Sequence, residues 1–126
     1  MKPAGLAGWT GAILEVLIVF SACGQNSETI TVAGGDLQLG RIAIQEYGCG
    51  ACHMILGVPS ANGNVGPPLS GIAEQVYLAG ILPNWPAEMI LLIRNPRQVN
   101  PRTAMPEMGV TERDARHIAA YLYTLQ

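Results

Sequence analysis

Apolar residues recur at three- and four-residue steps near the end of the chain, at Ala115, Ile118, Ala119, Leu122 and Leu125. That spacing puts them on one face of a helix. Thr111-Glu112-Arg113-Asp114 stands just before them and resembles a capping box, with Asp in place of the usual Glu or Gln at the fourth position. A second stripe runs through Leu37, Ile44 and Tyr47, at steps of seven and three. Asp36 precedes it as an N-cap, and Gly48-Cys49-Gly50 weakens the helix at its end. Pro86 suits a first helical position, and the helix it opens, Ala87 to Arg94, stops before Pro96. A further short helix is expected from Ile72 to Ala79. The intervals 57–71 and 95–110 are rich in Gly, Pro, Ser and Asn or broken by Pro96, Pro101 and Pro106, and read as loops. No run alternates as a strand does. The expectation is a small, all-α, loop-rich fold, in one domain for a chain of 126 residues.

The start of the chain has a different pattern. Lys2 is followed by an apolar run from Ile13 to Phe20, interrupted by Glu15, and then by Ser21 and Ala22. A positive start, a short apolar middle and small residues are the layout of an export signal. Phe20-Ser21-Ala22-Cys23-Gly24 resembles a bacterial lipobox, which implies lipid on Cys23 and cleavage before it. The alternative is an uncleaved anchor helix. A spanning helix needs about 20 apolar residues, and such a span here would bury Glu15. The organisation expected is an export signal over 1–22, a flexible tether over 23–35 ending in Gly34-Gly35, and a folded domain over 36–126.

Charge narrows the function. The net charge is −2 and no Lys follows Lys2, so the polybasic footprint of a nucleic-acid binder is absent. Arg94, Arg97, Arg102, Arg113 and Arg116 gather in the last third, as a solvated surface or a local docking patch. Three cysteines are too few for a disulfide framework. They divide into Cys23, with its own fate, and the pair Cys49 and Cys52.

Cys49-Gly50-Ala51-Cys52-His53 is a C-x-x-C-H sequence, the pattern of covalent haem c attachment. Two thiols add across the two vinyl groups of haem, the two-residue spacer lets both reach one edge of the macrocycle, and the adjacent His supplies a nitrogen to the iron. A zinc site would need two further Cys or His ligands, and outside the signal only His117 remains. A dithiol redox site would need a βαβ context. For the sixth iron ligand the candidates are Met54, Met89, Met105, Met108 and His117. Met54 directly follows the proximal His, Met89 and His117 lie in helices, and Met105 and Met108 share the Pro-rich loop before the last helix. Spacing does not separate those two.

From about Asp36 to Gln126 the chain resembles a class I cytochrome c. Gly40 and Tyr47 match the Gly and aromatic residue of that family's first helix, and Gly66-Pro67-Pro68-Leu69 matches its Gly-Pro-x-Leu segment. Met105-Pro106 matches its Met-Pro pair, and Tyr121-Leu122 matches the aromatic-Leu pair of its closing helix. The resemblance implies a fold wrapped around one covalent haem c, with N- and C-terminal helices crossing. It implies Cys49 and Cys52 as thioether residues, His53 and Met105 as axial ligands, and the Pro67 carbonyl as acceptor for the proximal His N–H. Trp85, Asn84 and Arg94 are candidate partners for the haem propionates.

With both axial positions filled the protein is expected to pass single electrons and not to be an enzyme. A His/Met pair raises the potential relative to more basic ligand sets. The partners expected are redox proteins, namely a quinol-oxidising complex, a dehydrogenase or a terminal oxidase, met at the periplasmic face of a bacterial membrane. The alternatives are a haem c subunit of a larger respiratory or dehydrogenase complex, or a haem-based sensor or peroxidase with a displaceable distal ligand.

Overall fold

A computed structural model of the chain describes Met1 and residues 29–126. Apart from Met1, the expected export signal, Cys23 and the tether as far as Glu28 lie outside the described residues. Among the described residues the elements are α1 (Leu37–Glu46), β1 (Tyr77–Leu78), β2 (Leu82–Pro83), α2 (Pro86–Arg94), α3 (Pro96–Val99) and α4 (Glu112–Leu122). Single 3₁₀ turns cover Cys49–Ala51 and Ile72–Glu74. None of these helices is long and apolar enough to cross a membrane.

Asp36 caps α1 as its composition predicts: its Oδ1 accepts the Leu39 N–H at 2.8 Å. Its own N–H donates to Nδ1 of His117 at 3.0 Å, across 81 residues of sequence. The face that α1 buries is Gly40, Ala43 and Ile44, with Tyr47 half-buried behind them. That is a stripe at steps of three, four and seven. The expected stripe began one turn too early, and Leu37 is 47% exposed. The helix meets α4 at Gly40, where a Cβ would overlap the His117 carbonyl and lie 3.0 Å from the Tyr121 Cβ. Only a residue without a side chain lets the two backbones come this close.

On α4 the expected face is buried at Ala115, Ile118, Ala119 and Leu122, joined by Ala120, and Leu125 is buried just beyond the helix. Small Ala side chains keep α1 and α4 close, and theirs is the largest interface between elements. The core continues through Ile44 and Leu78, both fully buried. Each such side chain contributes about 1.5–3 kcal/mol on leaving water.

The helix expected over Ile72 to Ala79 is not formed. One 3₁₀ turn is followed by a two-stranded antiparallel hairpin, with Tyr77 opposite Pro83 and Leu78 opposite Leu82. Ala79 and Gly80 both take positive φ, 50° and 69°, as the two central residues of a type I′ hairpin turn do. The buried Asn84 staples the hairpin down. Its Nδ2 donates to the carbonyls of Ile72 and Gln75, each at 2.7 Å, and its Oδ1 accepts the Tyr123 hydroxyl at 2.9 Å. Burial, with the negative charge of Glu88, pushes the Tyr123 phenol up to about 12. Over the described residues the fold is therefore mostly helical with one small sheet. The loop expected over 95–110 also contains α3, opened by Pro96 at its first position.

The start of α4 departs from a capping box in one respect. Thr111 Oγ1 accepts the Asp114 N–H at 3.1 Å, but Asp114 carries one methylene fewer than Glu and does not return to the Thr111 N–H. Its Oδ2 instead accepts the hydroxyls of Thr111 at 2.7 Å and Tyr47 at 2.9 Å. The Thr111 N–H goes to the Tyr47 hydroxyl at 3.4 Å. The hydrogen bond from Thr111, then that from Tyr47, hold the Asp114 carboxyl below its usual range.

Two outcomes are expected. Gly40→Ala should cost about 1–3 kcal/mol of stability, read as a lower denaturant midpoint of the haem-loaded protein. Asp114 binds fewer protons folded than unfolded in acid. Its contribution is therefore present above the ordinary carboxylate value of about 3.9 and is lost as the pH falls below it. Asp114→Asn should make the fall in stability below about pH 4 shallower, measured by denaturation across that range.

Candidate haem site

Tyr47 closes α1, and Gly48, at φ 71°, turns the chain out of the helix. The next residues curl into a tight turn in which the Cys49 carbonyl accepts the N–H of Cys52 at 3.2 Å and of His53 at 3.0 Å. Five residues that carry two thiols and an imidazole are thus held by their own backbone at the end of a packed helix.

The Gly- and Pro-rich loop after the motif is folded back onto it by backbone bonds. Gly63 N–H reaches the Gly50 carbonyl at 3.0 Å, Gly66 reaches Cys52 at 2.8 Å, and Leu69 reaches Met54 at 2.9 Å. Ile55 N–H donates to the Ala61 carbonyl at 3.0 Å, and the side chains of Ile55, Val58 and Ala61 are buried. Leu69 is half-buried, whereas Val65 is 73% exposed.

Those bonds bring Gly66-Pro67 against the imidazole. His53 Nδ1 lies 2.8 Å from the Pro67 carbonyl oxygen. A carbonyl can only accept, so Nδ1 carries the proton and Nε2 presents its lone pair. This is the arrangement in which a metal-ligating His is oriented by its other nitrogen. A Cβ on Gly66 would overlap the His53 ring, so the absence of a side chain there permits the contact.

Cys49 and Cys52 are both free thiols and both half-buried. Burial pushes the Cys49 thiol up. Among the described residues no group of three or more His, Cys, Asp and Glu side chains converges to hold a metal ion. Two thiols on one turn, unpaired among the described residues, beside an imidazole whose Nε2 has no partner among them, fit a covalently held haem with His53 as proximal ligand.

The sixth-ligand candidates are disposed differently. Met89 is 2% exposed in the core face of α2, and His117 Nδ1 is engaged by Asp36. Met105 is half-buried, with its N–H on Thr103 Oγ1 at 3.1 Å. Met108 and Met54 are 42% and 49% exposed. Of the propionate candidates, Asn84 has both amide hydrogens donated within the protein. Arg94 pairs with Glu112 at 3.4 Å, and Trp85 is exposed.

A family model described as Cytochrome c matches residues 38–126, and the chain belongs to that family. Its cofactor is accordingly haem c, bound through the C-x-x-C-H turn, and the family role is electron transfer by that haem. No curated protein matches the chain.

Two residues named from the sequence have roles that the sequence did not show. The His117 ring bonds the first residue before α1, and its partner lies too far along the chain for any local signal. Gly66 makes room for His53, and its one visible mark was its place in a Gly-Pro pair. Gly66→Ala should displace the imidazole, giving the ferric protein a high-spin fraction larger than that of the unsubstituted chain in its visible and paramagnetic resonance spectra.

Proposed function

We propose that the chain is a carrier of single electrons with His53 and Met105 as its axial ligands, acting at the periplasmic face of a bacterial membrane and tethered through lipid on Cys23. The observation that carries this reading is the His53–Pro67 bond, which commits Nδ1 and leaves Nε2 for iron. Haem c supplies a one-electron Fe(II)/Fe(III) couple when bound. His53 is held in one tautomer and one orientation, so it can stay a ligand in both oxidation states. Ile55 and Leu69 keep apolar surface around the turn, which limits reorganisation of water as charge changes.

Met105 is favoured over Met108 as the second ligand by the Pro that follows it, by its half-buried position and by the Thr103 bond that fixes its backbone. A thioether is a soft, weakly basic ligand and favours the reduced state more than a second imidazole does. Filling both axial positions leaves no site for substrate, which supports a carrier over an enzyme.

Redox partners are proposed to dock through a small surface around the haem edge, beside the attachment turn and the loop that Gly63, Gly66 and Leu69 bond to it. A small patch of this kind suits brief encounters. Suitable partners are a quinol-oxidising complex, a dehydrogenase or a terminal oxidase. The export layout of residues 1–22 and the lipobox-like Phe20 to Gly24 support the tether.

The decisive measurement is the near-infrared sulfur-to-iron charge-transfer band of the ferric protein. It should be present in the unsubstituted chain, abolished in Met105→Ala and retained in Met108→Ala. Loss in Met108→Ala alone would reassign the ligand. The intact mass of membrane-extracted protein should show a chain starting at Cys23 with added acyl mass; a mass that includes residues 1–22 without lipid would refute the tether.

A further inference from the structure

Tyr47 stands two residues before Cys49, yet its hydroxyl works at the far end of the chain. It donates to Asp114 Oδ2 at 2.9 Å and accepts the Thr111 N–H at 3.4 Å. Thr111 is the residue at which the loop carrying Met105 and Met108 ends and α4 begins.

That loop is held unevenly. Its first part has local bonds: Arg102 N–H to Asn100 Oδ1 at 3.0 Å, Thr103 N–H to the Asn100 carbonyl at 3.0 Å, and Met105 N–H to Thr103 Oγ1 at 3.1 Å. From 106 to 110 the backbone makes no hydrogen bond among the described residues. Pro106, Glu107, Met108 and Gly109 are exposed, and only Val110 is buried. Among the described residues the second half of the loop is therefore held where it meets α4, by the burial of Val110 and the cluster of Thr111, Asp114 and Tyr47. Of these, Tyr47 alone belongs to the segment that leads into the haem-attachment turn.

We infer that the Tyr47 hydroxyl is a strut that fixes the Met105 loop relative to the Cys49–His53 turn, and so sets how readily Met105 gives up the iron. The inference rests on the assignment of Met105 as axial ligand. Tyr47 does not touch the iron; it acts as a positioning residue through Thr111 and Asp114. A carboxylate acceptor makes its hydrogen bond stronger than one between neutral groups. Losing it loosens the end of the loop without removing any ligand.

The test is the affinity of the ferric, haem-loaded protein for cyanide, which must displace the sixth ligand to bind. Tyr47→Phe removes the hydroxyl and keeps the ring. Without added cyanide the variant should retain the sulfur-to-iron band, and it should bind cyanide about tenfold more tightly, because the loop-open state is more populated. Asp114→Asn removes the charge that strengthens the same bond and should shift affinity in the same direction by less. It also serves if Tyr47→Phe does not accumulate. Tyr123→Phe removes a buried hydroxyl that bonds Asn84, away from the loop. It should lower the denaturant midpoint while leaving cyanide affinity within about twofold of the unsubstituted protein.

Equal cyanide affinity in Tyr47→Phe and the unsubstituted protein would overturn the strut, as would an equal gain in Tyr123→Phe. A missing band in the unsubstituted protein would instead remove the Met105 assignment, and the strut with it. The two failures are thus told apart.

Discussion

The approach of α1 to α4 at Gly40 decides what else can meet. With a hydrogen where a side chain would stand, the α1 backbone comes against the His117 carbonyl, and Tyr121 closes the other side. That separation puts Asp36 within reach of the His117 ring at the start of α1 and Tyr47 within reach of Asp114 at its end. Both hydrogen bonds are consequences of the crossing, and each ties one end of α1 to α4. A methyl group at Gly40 would push the helices apart and strain both ends together.

The site is built chiefly by backbone. Gly50, Cys52 and Met54 each lend a carbonyl to the following loop, and their partners Gly63, Gly66 and Leu69 fall at intervals that draw it over the attachment turn. The side chain with the largest part, His53, is oriented by another carbonyl, that of Pro67. Carbonyls bound in this way neither titrate nor change rotamer. An imidazole held by them keeps its orientation when the charge beside it changes, which a carrier requires on every cycle.

What the sequence made legible was local. Asp36 and Thr111 cap the helices they precede, Pro86 opens α2, and Ala115, Ile118, Ala119 and Leu122 form the buried face of α4. The C-x-x-C-H pattern specified the cofactor because its chemistry lies within five residues. The errors came where distant partners or unusual dihedrals decide the outcome. Residues 72–79 contain enough helix-forming residues to pass for a helix, but the positive φ of Ala79 and the three hydrogen bonds of Asn84 select a hairpin. Asn84 reads as a candidate propionate partner between Pro83 and Trp85, and its bond to Tyr123 is visible only once the fold is closed. Leu37 fitted the spacing of a buried stripe, yet the crossing at Gly40 left it outside.

The pairing of α1 with α4 also sets an order of events. Asp36 and His117 are 81 residues apart, so the first helix lacks its main packing partner, α4, until nearly the whole domain has been made. Closing so long a span is slow compared with forming a helix or a local turn. Until it closes, the face formed by Ala43, Ile44 and Tyr47 stands open at the end of α1, and Cys49 and Cys52 lie on an unclamped turn just beyond it. The chain therefore offers its two thiols most freely before α4 has packed against α1.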